Sequence, residues 1–204
     1  MTSFQKELQD LRDNKIRFPY DLSIELLQHL KDSLSGGWEL LRVRHELMIR
    51  EHGRSLVAVA MEDEKGNIVI KDGKAQPQFV YTLGQGRKGF PEILCFFPSA
   101  YIGHFINNLC NKMESGEAEP NKDGTYLIGG CFPLKPKLNF ILLPLTGSQR
   151  ELAAEKYACQ CEKDEPLLLA VAPYEDGTPC TDFIPEDFHQ QQTLSKHPVT
   201  GSLL

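Results

Sequence analysis

The chain reads as an α+β protein: a single domain with a mostly antiparallel sheet flanked by helices, preceded by an N-terminal helical extension. Three observations predict this class. Apolar residues recur at helical spacing through the first fifty or so positions, the period changes to a valine-rich strand pattern at Leu56, and the later strands and helices follow in irregular order without a repeat or low-complexity linker. At 204 residues the chain is long enough for one substantial core.

Residues 3–13 and 21–34 read as helices, separated by Phe18-Pro19-Tyr20. In the second, Leu22, Leu26, Leu27, Leu30 and Leu34 make one apolar face, Asp21 or Ser23 can cap its start, and Gly36-Gly37 ends it. Residues 38–51 continue at helical spacing with Trp38, Leu41, His45, Met48 and Ile49, and Gly53 closes that segment. Leu56 to Met61 is a strand, Glu64 to Asn67 a turn, and Ile68 to Ile70 the returning arm of a hairpin. Asp72-Gly73 turns the chain into a strand over 78–83, and Ile93 to Phe97 forms the next one. Pro98 and Ser99 open a helix to about Met113, with Ile102, Phe105, Ile106, Leu109, Cys110 and Met113 on its apolar face. An exposed loop over 115–124 leads to strands at 126–128 and 138–143, a helix at 148–161 and a strand at 167–172. The tail from Pro173 reads as irregular. The predicted organisation is a helical extension over 1–45 packed on the domain, an α+β domain over 46–194, and a C-terminal tail over 195–204.

The hydrophobic share is 41%, the charged share 25% and the net charge -6, which is ordinary for a soluble domain. An acidic balance argues against nucleic-acid binding and leaves room for a basic protein partner. The N-terminal residues alternate charge with single apolar residues, unlike a secretory signal. The longest apolar runs, Asn139 to Leu145 and Leu167 to Ala172, are strand-sized and too short to span a membrane. The expected location is therefore the cytoplasm. The six cysteines are irregularly spaced and read as free thiols. Cys159 and Cys161 are the only close pair, and with no second pair at metal spacing no metal site is expected.

The succession His52-Gly53, then Phe79 to Gly84 (FVYTLG), then Phe90-Pro91-Glu92-Ile93-Leu94, resembles the uncharacterised bacterial family called domain of unknown function 4262. The likeness continues in Asn107-Asn108-Leu109, Gly116 and the run from Pro173 to Gly177, and covers about residues 46 to 194. The chain departs from the family pattern at Ala172 to Asp176, where a Trp-Pro-Asp is common, and at Phe183-Ile184-Pro185, where the family often has a tryptophan. The resemblance implies a fold and no activity.

The candidate chemistry centres on Gly84-Gln85-Gly86-Arg87-Lys88-Gly89. The letters match a dinucleotide fingerprint, but that motif needs a helix N-terminus after the glycines, and here Pro91 and a strand-like run follow. A plain glycine turn between strands is the structural reading. Anion or phosphate binding by Arg87, Lys88 and free backbone N–H groups of Gly84 and Gly86 is the functional one. Glu92 is the best candidate for a functional carboxylate, against a salt bridge to Arg87 or Lys88 that closes the loop. Tyr81 and Thr82 point to opposite faces of the strand, so only one of them can face a pocket. His52 ends a helix, where its charge suits the last carbonyls, and His45 lies near the same helical face. Cys95 paired with His104 or His52 would make a thiol nucleophile, although an apolar strand renders a thiol inert. Asp176, Asp182, Glu186 and Asp187 read as a solvated acidic surface.

The leading functional expectation is a cytoplasmic binding or interaction protein, with a basic protein or a small anionic ligand as partner. The alternative is an anion- or phosphate-binding domain, or an enzyme of unknown cofactor, with its site at His52, Tyr81, Thr82, Gly84, Gly86, Arg87, Lys88 and Glu92.

Overall fold

The computed structural model describes residues 3–13, 15–71, 73–97, 99, 101–131, 139–157, 165–174, 176 and 178–188. Two compact units are present, Met1–Ser55 and Leu56–Leu204.

The first unit holds α1 (Ser3–Arg12), α2 (Ile24–Ser33) and α3 (Gly37–His52). Of the two candidate caps, Ser23 takes the role: its hydroxyl oxygen accepts from the Leu26 N–H at 3.1 Å, while the Asp21 carboxylate accepts from the Arg17 N–H. The unit's core is Leu22, Leu26, Leu27 and Val43, with Phe4, Leu8 and Leu11 of α1 packed against it. The face of α3 differs from the one its apolar residues predict. Trp38 and Met48 are 51% and 44% exposed, Ile49 is buried as predicted, and Leu40, Val43 and Glu46 are buried as well. Glu46 tolerates burial because Arg50 Nε donates to it at 2.8 Å, while the rest of the same guanidinium reaches the carbonyls of Leu22 and Tyr20. Gly53, at φ +78°, ends α3 with its N–H on the Ile49 carbonyl, as expected of a left-handed cap. The unit closes after Ser55, so α3 belongs wholly to it. The boundary expected after residue 45 falls within this continuous helix.

The second unit is the predicted α+β domain. Its elements are β1 (Ser55–Ala60), β2 (Ile70–Lys71), β3 (Lys74–Ala75), β4 (Pro77–Leu83), β5 (Glu92–Cys95), α4 (Ile102–Glu114), β6 (Tyr126–Ile128), β7 (Phe140–Pro144), α5 (Gly147–Lys156) and β8 (Leu167–Val171). The main sheet is six-stranded in the order β1-β4-β5-β8-β7-β6. β5 and β8 run parallel, with Leu94 beside Leu169, and the pairs β4–β5, β7–β8 and β6–β7 are antiparallel.

Both faces of the sheet are covered. One carries Phe79, Tyr81, Leu94, Leu143 and Leu169 against Ala153 of α5, Tyr157 and Phe188. The other carries Val80, Ile93, Leu142 and Ala170 against Ile102, Ile106, Leu109 and Met113 of α4. Burial on both sides explains why β5 and β8 read as continuous apolar runs. The α4 face matches the predicted stripe, apart from Phe105, which is half-buried. The tail is more than irregular chain: Phe188 ends a 3-10 turn over Glu186–Phe188 and joins Phe79, Phe96 and Tyr157 in an aromatic cluster with ring separations of 5.1 to 5.6 Å.

The predicted hairpin forms in two stages. Asp63 accepts from the N–H groups of Lys65 and Asn67 to fix the first turn, and Ile68 bridges to Glu62. The chain then departs from the expectation, because Ile70 and Lys71 pair with Ala75 and Lys74 as a small separate ribbon. The expected strand start at Leu138, the helix end over 158–161 with Cys159 and Cys161, Asp72, Pro98 and the tail over 195–204 lie outside the described residues.

Candidate functional site

β4 runs into Gly84, whose φ of +98° only glycine adopts easily, and a 3-10 turn over Gly86–Lys88 ends at Gly89 with φ +80° before β5 opens on Glu92. The alternation along β4 places Tyr81 on the α5 face and Thr82 on the opposite one. Tyr81 is packed in the core beside Phe79. Thr82 bonds within the loop: its hydroxyl donates to Glu92 Oε2 at 2.5 Å and accepts from the Ile93 N–H at 2.8 Å.

Glu92 is 0% exposed. The Gly86 N–H donates to its Oε1 at 3.2 Å, and the Gly84 N–H adds a further bond. Burial pushes this carboxyl above its ordinary range, and the neighbouring Glu165 carboxylate adds to the push. The bonds from Thr82, Gly86 and Gly84 act in the opposite direction. A Cβ at Gly86 would run into the Glu165 carboxylate, so glycine there lets the second acid lie against the loop. The loop thus encloses a carboxyl group of its own. Backbone donors that could serve an external phosphate are directed at Glu92.

The two loop cations have separate roles. Lys88 Nζ sits 3.0 Å from both carboxylate oxygens of Glu114 and ties the loop to the end of α4, so the Lys88 salt bridge goes to Glu114. Arg87 is exposed. Gln85, which the sequence reading passed over, is 0% exposed, and both polar atoms of its side chain lack a hydrogen-bond partner. Glu165 was also missed, because it is far from the loop in sequence and only the β5–β8 pairing brings it there.

Each of the remaining candidates has surroundings of its own. His52 is the exposed last residue of α3, 3.7 Å from Glu51, in the helical unit. His45 Nδ1 bonds to Ser55 Oγ at 2.8 Å, and burial lowers its pKa. Cys95 is fully buried with its thiol pushed up to about 12, while His104 lies exposed on α4 beside Asn108. On the acidic tail, Asp187 pairs with Lys156 and Asp176 accepts from Thr178. Among the described residues, no group of three acidic, histidine or cysteine side chains could hold a metal ion.

An open cavity of about 280 Å³ lies elsewhere in the α+β unit, where edge strand β1 extends beside the start of α4. Its walls are apolar, with Leu56, Val80 and Ile102 at the sheet–helix junction. Ala58, Ala60 and Gly103 are small residues in the same lining. Lys74, Gln76 and Ser99 supply polar groups. The sequence signal was the alternation of alanines along β1 where larger strand residues are usual, together with a glycine in the first turn of α4.

No family model matches the chain, and no curated protein or solved structure matches it either. Among the described residues, no helix is long and apolar enough to cross a membrane.

Proposed function

We propose that this chain works by binding, and that the cavity beside β1 takes a small, largely apolar ligand. The carrying observation is the cavity itself: about 280 Å³ walled by apolar side chains with a few polar groups. Ligand sites have this composition, and their volumes start at about 300 Å³. An apolar cavity of about 150 Å³ already admits benzene. A ligand of one or two fused rings, or a short chain, matches the space. The glycine loop is the weaker site because its backbone donors face Glu92. The net charge of -6 fits a basic protein partner, but it singles out no surface for one. A cytoplasmic setting belongs to the same proposal and is supported by the free, buried thiols Cys95, Cys110, Cys131 and Cys180. The resemblance to domain of unknown function 4262 supplies no activity to weigh against this reading.

The test is an amide-resolved NMR titration with naphthalene-sized probes. Binding should shift the amides of Leu56 to Ala60 and of Ile102 and Gly103. Gly103→Leu, which adds a side chain to the cavity wall, should weaken binding at least about tenfold by filling the space. Shifts confined to residues 82–92, or unchanged affinity in the filled variant, would move the site elsewhere.

A further inference from the structure

The cavity has a polarity. Lys74 is the charged residue among those lining it, and no carboxylate does so among the described residues. The first turn of α4 contributes Ile102 and Gly103 to the same lining. That turn contains no acidic residue; its N-cap, Tyr101, makes no side-chain cap hydrogen bond, and the Tyr101 N–H donates to Ser99 Oγ at 3.2 Å. A helix N-terminus carries partial positive charge, so a lysine and a helix end of the same sign border one apolar space.

Resting on the cavity reading above, we propose that the ligand is a small amphipathic anion, an aromatic or short-chain carboxylate. Its apolar body occupies the space between β1 and α4, and its charge meets Lys74 and the start of α4. A neutral apolar ligand would satisfy the walls and leave both positive features unused. A polyanion such as a nucleotide would have to place polar surface against Leu56, Val80 and Ile102, which costs binding energy. A single charge at the mouth with an apolar body behind it satisfies both parts of the lining.

The experiment compares 1-naphthoate with its neutral isostere 1-naphthamide by calorimetric titration of the full chain at low salt. Naphthoate should bind about three- to tenfold more tightly, the size of effect expected from one exposed charge and a helix end. Lys74→Gln should reduce that preference, read as the ratio of the two affinities measured in the same variant. The preference should also shrink as salt is raised. Lys74 lies in a short exposed ribbon, so this variant should fold as the native chain does, which circular dichroism checks. Equal affinity for the two probes would overturn the anion assignment while the cavity reading stands. A preference for naphthoate that persists undiminished in Lys74→Gln would overturn the role given to Lys74. If neither probe binds, the cavity reading falls and the proposal with it.

Discussion

Glu92 sets burial against hydrogen bonding at a single carboxyl. Its carboxyl is wholly buried, bonded by Thr82 and by backbone N–H groups, and faces Glu165. Because its pKa in the folded chain lies above the ordinary value of 4.5, the folded state holds this proton more tightly than the unfolded state does. The associated stability is therefore present below pH 4.5 and is lost as pH rises through the folded-state pKa. Surface carboxylates with lowered pKa values, among them Asp13, Asp21 and Asp63, act with the opposite sign at acid pH. The informative quantity is accordingly the difference between wild type and Glu92→Gln. Denaturant unfolding across this range should show that difference moving in favour of Glu92→Gln as pH rises. A difference that stays constant with pH would mean that the Glu92 carboxyl titrates alike in the folded and unfolded chains, with no raised pKa.

At the scale of elements, the β4–β5 connection depends on glycine for backbone geometry and on Thr82 and Glu92 for internal bonds. Gly84 combines a φ of +98° with an N–H directed at Glu92. Gly84→Ala should cost about 1–2 kcal/mol, because a Cβ is disfavoured at positive φ. Urea unfolding would measure it, and a cost near zero would show that the loop can relax to another conformation. The glycine turn was legible in the sequence as a turn between strands. Its content was not, because the loop letters cannot show that an acid six positions after Gly86 would fold back onto the backbone. The same limit applied to α3: helical spacing identified the helix, while the buried face was decided by Val43 packing on α2 and by Arg50 neutralising Glu46.

For the whole α+β unit, the tail is a packing element. Phe188 is 1% exposed and touches Phe96 and Tyr157 within the core on the α5 face. Phe188→Ala should destabilise the chain by about 3–5 kcal/mol, the usual cost of emptying a buried aromatic site. Thermal and urea unfolding would report it, and a loss below about 1 kcal/mol would show that the 3-10 turn contributes little to the core.

Sequence alone determined the class of this protein and most of its elements, since period and glycine placement are local signals that survive any arrangement of the neighbours. It also singled out the stretch from Tyr81 to Glu92 and separated Tyr81 from Thr82 by strand alternation. Only the tertiary structure decided which strands pair, that β5 lies parallel to β8, and therefore that Glu165 approaches Glu92. It alone brought the small residues of β1 and α4 into the lining of one cavity. Both outcomes depend on contacts between segments distant along the chain, where no local periodicity can specify the partner.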